Sequence, residues 1–164
     1  TLIHAFVSSR LDNLNGILSN ANGYLLQKLQ KIQNHAVRVV LKVKYHEHIT
    51  PYLYQLHWLP IKYRVPYKIN LITFKCLHNM APDYLACEIN KYIPGRDGQR
   101  SASKGLIEKN GPTKPSRFGE RSFSICAPVL WESIPENIRT CDNLDTFKAK
   151  LKTHYFRIAF KELL

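Results

Sequence analysis

The sequence predicts a mainly α fold: an irregular bundle of about five to seven helices, with a long basic Gly/Pro-rich loop, roomy enough for a short hairpin, before the C-terminal part. Three observations predict it. Apolar residues recur at steps of three and four, the period of amphipathic helices rather than strands. Five of the seven glycines (Gly95, Gly98, Gly105, Gly111 and Gly119) lie between Pro94 and Arg121, so the chain-breaking residues are concentrated in one place. A length of 164 residues with 45% hydrophobic content is enough for one buried core and is that of a folded chain rather than a disordered tail.

The elements follow in order. From Leu2 to Leu18, apolar Ile3, Phe6, Val7, Leu11, Leu14 and Leu18 keep a helical period, which Ser19 to Gly23 breaks. The helix from about Tyr24 to Val43 has the clearest pattern. Leu25, Leu29, Ile32, Ala36, Val39, Val40 and Val43 are expected to form its buried face, with Lys28, Lys31, His35, Arg38 and Lys42 opposite. Thr50-Pro51 fits an N-cap with proline at the first helical position. Pro60 then separates a short helix from one running to about Asn79, in which Pro66 predicts a late start or a bend, because an interior proline loses a backbone bond. Ala81-Pro82-Asp83 opens a further short helix.

From Pro94 to Arg121 the pattern stops, apart from a candidate strand or hairpin at Leu106-Ile107 and Ser122 to Ile125. Pro128 and Pro135 bracket a short helix bearing Leu130 and Trp131. Asp142 is the expected cap of a last helix whose buried face is Leu144, Phe147, Leu151, Tyr155 and Ile158. The implied organisation is a helical region at 1–93, a basic linker at 94–121, and a C-terminal helical segment at 122–164 packing on the first.

Lys plus Arg number 24 against 12 acids, a net charge of +12, which calls for an anionic partner: nucleic acid first, a membrane surface second. No apolar run reaches the roughly 20 residues of a membrane span, and no signal-peptide pattern opens the chain. It begins without methionine and already inside an apolar pattern, as a piece of a longer protein would. Cys76, Cys87, Cys126 and Cys141 sit in helical contexts and suggest reduced thiols in an intracellular protein, the nucleus included.

The residues offer little chemistry. The nearest acid pairs, Asp142 with Asp145 and Glu132 with Glu136, are better explained by helix capping and solvent exposure than by divalent-metal binding. Cys76 with His78, and His46 with His48, are not zinc-knuckle pairs. There is no nucleophile elbow and no phosphate-cradling loop. The sequence therefore predicts no enzyme, no cofactor, no metal and no small-molecule substrate. Basic surface is the positive signal. Between Asn13 and His46 there is no acid at all, so Lys28, Lys31, Arg38 and Lys42 can lie along a phosphate backbone, or form an ordinary solvated helix face. Arg117, Phe118, Arg121 and Phe123 interleave cations with aromatics as single-strand stacking surfaces do, although core packing is the favoured account of the rings.

Several strings occur together in a familiar order: FVSSRLDNLNGIL, YLLQKLQKIQNHAVRVVL, HITPYLYQLHWLPIKYRVPYKINLITFKCLHNMAPDYL and FGERSFSICAPVLWESIPENIRTCDNLDTFKAKLKTHYF. Taken together they resemble the region C-terminal to the palm in reverse transcriptases of LINE-type, jockey-like non-LTR retrotransposons. Asn13 and Leu14 stand where that family has an aromatic and a cysteine, and Val37 where it has an alanine. The resemblance implies a thumb-like helical region that helps hold template RNA and primed DNA beside an upstream palm, with the RNA-directed DNA polymerase aspartates lying outside this stretch. It points to Lys28, Lys31 and Arg38 as nucleic-acid contacts. The competing expectation is a protein-interaction or structural remnant of a decayed mobile element, with no nucleic-acid role.

Overall fold

The computed structural model describes residues 6–7, 9–12, 18–19, 21–93, 105–108 and 122–163. Among them are eight helices and no sheet: α1 (Ser9–Leu11), α2 (Gly23–Leu41), α3 (Thr50–Gln55), α4 (Ile61–Leu77), α5 (Asp83–Ala86), α6 (Phe123–Glu132), α7 (Glu136–Arg139) and α8 (Leu144–Ala159). It is an irregular helical bundle, as the apolar period predicts, and most of the predicted Leu2 to Leu18 helix lies outside the described residues.

Helix α4 is the centre, packed by α6, α8 and α2. Its buried positions Ile61, Val65, Ile69, Phe74 and Cys76 belong to one core with Trp131, Ile134, Phe147, Leu151 and Tyr155 from beyond the Gly/Pro-rich stretch. The middle of that core is a column of rings. Phe74 stacks on Phe147 with centroids 4.2 Å apart, Phe147 on Trp131 at 5.6 Å, and His78 closes the far end on Phe74 at 3.9 Å. Offset stacking of this kind adds about 0.5–1.5 kcal/mol per pair beyond burial. A polar residue sealed in the core, Asn70, donates to the Tyr155 hydroxyl (2.9 Å) and the Leu130 carbonyl (3.3 Å), tying α4 to α8 and α6. Burial pushes the Tyr155 phenol above its ordinary range, against hydrogen bonds to Asn70 and Ser133 that pull it down.

A smaller core of Val37, Leu53 and Phe160 joins α2, α3 and the end of α8, with Tyr54, Phe156 and Phe160 in ring contact. Helices α2, α3 and α4 end alike. Lys42, His57 and Asn79 take the left-handed conformation, and the next amide donates five residues back, from Val43 to Arg38, Trp58 to Leu53 and Met80 to Lys75. This closing motif normally uses glycine. His57 is thus an exposed helix-end residue, its ring against Phe156.

Several expectations need correction. Pro66 does not delay α4: the helix begins at Ile61 and passes through the proline. The carbonyl deprived of its helical donor is that of Lys62, an exposed residue where water can serve. Thr50 is the first residue of α3, not its cap, and Pro51 the second. Helix α6 starts at Phe123 and contains Pro128, so Ser122 to Ile125 is a helix start rather than a strand. The cap of α8 is Asn143, whose Oδ1 accepts from the amides of Asp145 (2.8 Å) and Thr146 (3.2 Å), not Asp142. On α8, Ile158 is exposed, and Phe160 is buried beyond the helix end.

Part of the predicted linker belongs to the core. Ile107 is buried and forms an antiparallel bridge with Lys91. The Trp131 indole N–H donates to the Gly105 carbonyl at 2.7 Å. Gly105 takes a positive φ of 57° against the backbone of Arg139, a conformation glycine adopts without strain.

Candidate nucleic-acid interface

The face by which α2 docks is not the one its apolar pattern predicts. Gln33, Ala36 and Val37 are its buried residues, while Leu25, Ile32, Val39 and Val40 are exposed. Two glutamines explain the rotation. The first amides of α4 have no helical acceptor of their own, and Ile61 donates its amide to Gln30 Oε1 (2.8 Å). Gln33 Nε2 donates to the buried Leu59 carbonyl (2.9 Å), and Gln30 Nε2 to Gln33 Oε1 (3.0 Å). An amphipathicity argument counts glutamine as polar and turns it outward; here it is the docking group.

That rotation still leaves the basic row in solvent. Lys28, Lys31 and Lys42 are exposed, as is His35, and α2 carries no carboxylate. The Lys28 ammonium lies 4.5 Å from the centroid of Tyr24. Arg38 departs from the row. Its Nη2 donates to the carbonyls of Tyr45 (3.1 Å) and Glu47 (3.3 Å), and its guanidinium lies against the Tyr45 ring, so it fastens the turn after α2. Tyr52 donates to the Glu47 carboxylate in the same turn, and that hydrogen bond is the largest influence raising its phenol above the ordinary value. Arg117 and Arg121 lie outside the described residues, as does Phe118; Phe123 starts α6 and packs on the core.

A second basic row escaped the sequence argument. On α8 and the turn after it, Lys150, His154, Arg157 and Lys161 follow at steps of four, three and four, which puts them on one side of the helix. Lys150, His154 and Arg157, with Asn137 and Thr153, line a groove of about 390 Å³ between α7 and α8, and no carboxylate lines it. Burial lowers the His154 pKa and favours the neutral ring. The spacing was visible in the sequence, but lysines on every side of α8 hid the row.

Other cations are spent within the fold. Arg64 grips Asp12 through Nε (2.6 Å) and Nη2 (2.9 Å), and Lys68 reaches the same carboxylate at 2.9 Å. Burial pushes Asp12 up, but the hydrogen bonds and charges of Arg64 and Lys68 outweigh it and hold the carboxyl below its ordinary value. Asp145 pairs with Lys148 at 3.2 Å. All four cysteines are free thiols, and burial raises the pKa of Cys76 and Cys126. Among the described residues no group of three His, Cys, Asp or Glu side chains could hold a metal ion, and no helix is long and apolar enough to cross a membrane. No protein-family model matches the chain, and neither does any curated protein or solved structure.

Proposed function

We propose that this chain is a non-catalytic, nucleic-acid-gripping helical module, the part that a LINE-type reverse transcriptase carries downstream of its palm. One observation carries the reading: Lys28 and Lys31 stand in solvent on a 19-residue helix that has no carboxylate, with Lys42 exposed at its C-terminal cap, in a chain of net charge +12. Ammonium groups so placed exchange condensed counterions for phosphates along a backbone, a contact that positions a strand without reading its bases. The acid-free groove between α7 and α8 supplies a second place for a phosphodiester. In this reading the partners are template RNA, primer DNA and an upstream palm, the catalytic aspartates belong to that palm, and the setting is intracellular, in the nucleus when DNA is primed.

The test is fluorescence anisotropy on a labelled RNA/DNA hybrid and on single-stranded RNA across a salt series. Three phosphate contacts predict a slope of log affinity against log salt of about −2 to −3. Lys28→Glu with Lys31→Glu should weaken binding more than tenfold at low salt and flatten the slope. Lys150→Glu with Arg157→Glu reports on the α8 row independently. Binding that is absent, or indifferent to both pairs, sinks the proposal.

A further inference from the structure

The groove between α7 and α8 differs in shape from the open row of α2. Its walls are consecutive helices, joined at one end by residues 140–143. Lys150, in the second turn of α8, leans across that same end. Its ammonium lies 3.5 Å from the Asn137 carbonyl of α7 and 3.5 Å from the Cys141 sulfur. The groove is therefore blind there. His154 follows about one turn on and is half buried, and exposed Arg157 stands toward the other end, about 10 Å from Lys150 along the axis at 1.5 Å per residue. Among the described residues neither Lys150 nor Arg157 is in an ion pair, and no carboxylate lines the groove.

From this geometry we infer that the groove holds the phosphorylated end of a nucleic-acid strand, with the terminal phosphate between Lys150 and His154 and the first phosphodiester at Arg157. The inference rests on the nucleic-acid reading and deepens it: α2 meets phosphates along a strand, and the groove meets the end of one. The blind end selects a terminus, since a strand running through would have to leave past the Lys150 bridge and the 140–143 connection. Charge selects a phosphorylated terminus. A terminal phosphate carries about −1.5 to −2 charge and three acceptor oxygens near pH 7, where a hydroxyl end would leave the Lys150 ammonium facing no charge. Size agrees: about 390 Å³ lies at the lower end of the range of roughly 300–1,000 Å³ for small-ligand sites, room for a strand end and not for a long run of nucleotides.

Two other sources offer the same phosphate. A free nucleoside monophosphate meets Lys150 and His154 but brings no phosphodiester for Arg157 to hold. A phosphoserine peptide lacks that second anion too. Arg157 therefore decides between them and a strand, because its planar guanidinium pairs with a phosphodiester through two parallel hydrogen bonds.

The experiment titrates the full chain into three short labelled single-stranded RNAs of one sequence, carrying a 5′-phosphate, a 3′-phosphate or hydroxyls at both ends. One phosphorylated form should bind at least fivefold tighter than the hydroxyl form. Lys150→Gln should erase that preference and Lys150→Arg should keep it, which separates a lost contact from a lost fold. Arg157→Gln should weaken the phosphorylated RNA severalfold and leave competition by uridine monophosphate as it was. Lys28→Glu with Lys31→Glu should weaken all three RNAs alike and preserve their ratio. Equal binding of the three RNAs overturns the inference while leaving the α2 reading in place, whereas binding of none removes that reading and the inference with it. A preference that survives Lys150→Gln overturns the inference as well. So does uridine monophosphate or a phosphoserine peptide that binds as tightly as the phosphorylated RNA, which makes the occupant a free nucleotide or a protein.

Discussion

Helices α2 and α4 are nearly equal in length, 19 and 17 residues, yet α4 buries seven of its side chains and α2 three. Helix α4 is surrounded, and even its polar positions Asn70 and Thr73 are sealed in and hydrogen-bonded, Thr73 to the Ile69 carbonyl one turn back. Helix α2 touches the molecule along one edge and offers the rest of its circumference to solvent. The comparison separates two roles: the surrounded helix specifies the fold, and the open one carries the surface proposed for binding. Substitutions on α4 should therefore act on stability, and those on the outer faces of α2 on binding.

The largest effect should come from the ring column. Phe74→Ala removes the ring shared by Phe147 and His78 at full burial. Deletions of this kind cost about 3–5 kcal/mol, part of it for the cavity left behind. In a domain whose whole stability is about 5–15 kcal/mol, the thermal midpoint followed by circular dichroism should fall steeply. A loss no larger than that of a surface substitution would mean that α4 is not the centre.

Next in size is the ion pair that ties the N-terminal segment to α4. Asp12 answers both Arg64 and Lys68. Asp12→Asn leaves the largely buried Arg64 head without its charged partner, and hydrogen bonds to charged groups contribute about 1.5–3 kcal/mol. The pH dependence has a definite sign. A carboxyl held below its ordinary value of 3.8 stabilises the folded state fully above that pH, and the contribution is lost as pH falls through the folded value. The parent and Asp12→Asn should differ by a constant amount in urea melts from about pH 5 upward, and the gap should close below pH 4. A gap that widens in acid contradicts the geometry.

The architecture was legible in the sequence wherever periodicity and breakers agreed. The helices around Leu29, Ile69 and Leu151 are where the pattern puts them. Other features depended on contacts that no local pattern records. Pro66 and Pro128 sit inside helices because tertiary packing overrides their local preference. Ile107 and Gly105 look like linker residues, yet they are held by Lys91 and the Trp131 indole. For the interface, the basic residues of α2 could be named in advance, but not that Arg38 turns back to the carbonyls of Tyr45 and Glu47, nor that the aliphatic row faces solvent.

The smallest of these effects goes to the root of that last difference. Gln33→Leu makes α2 more hydrophobic at a buried position and improves its apolar pattern, so a periodicity argument expects stabilisation. The hydrogen bonds predict the reverse. Without Gln33 Nε2 the buried Leu59 carbonyl has lost its donor, and Gln30, which Gln33 Oε1 helps orient, holds the Ile61 amide less well. An acceptor left unmade in the interior costs about 1–3 kcal/mol, of which the added apolar burial returns only a part. Gln33→Leu should therefore lower the urea midpoint modestly with little change in the denaturant slope. Should it instead match or exceed the parent, α2 would be docked by unspecific apolar contact, and nothing would keep Leu25, Ile32 and Val39 turned outward.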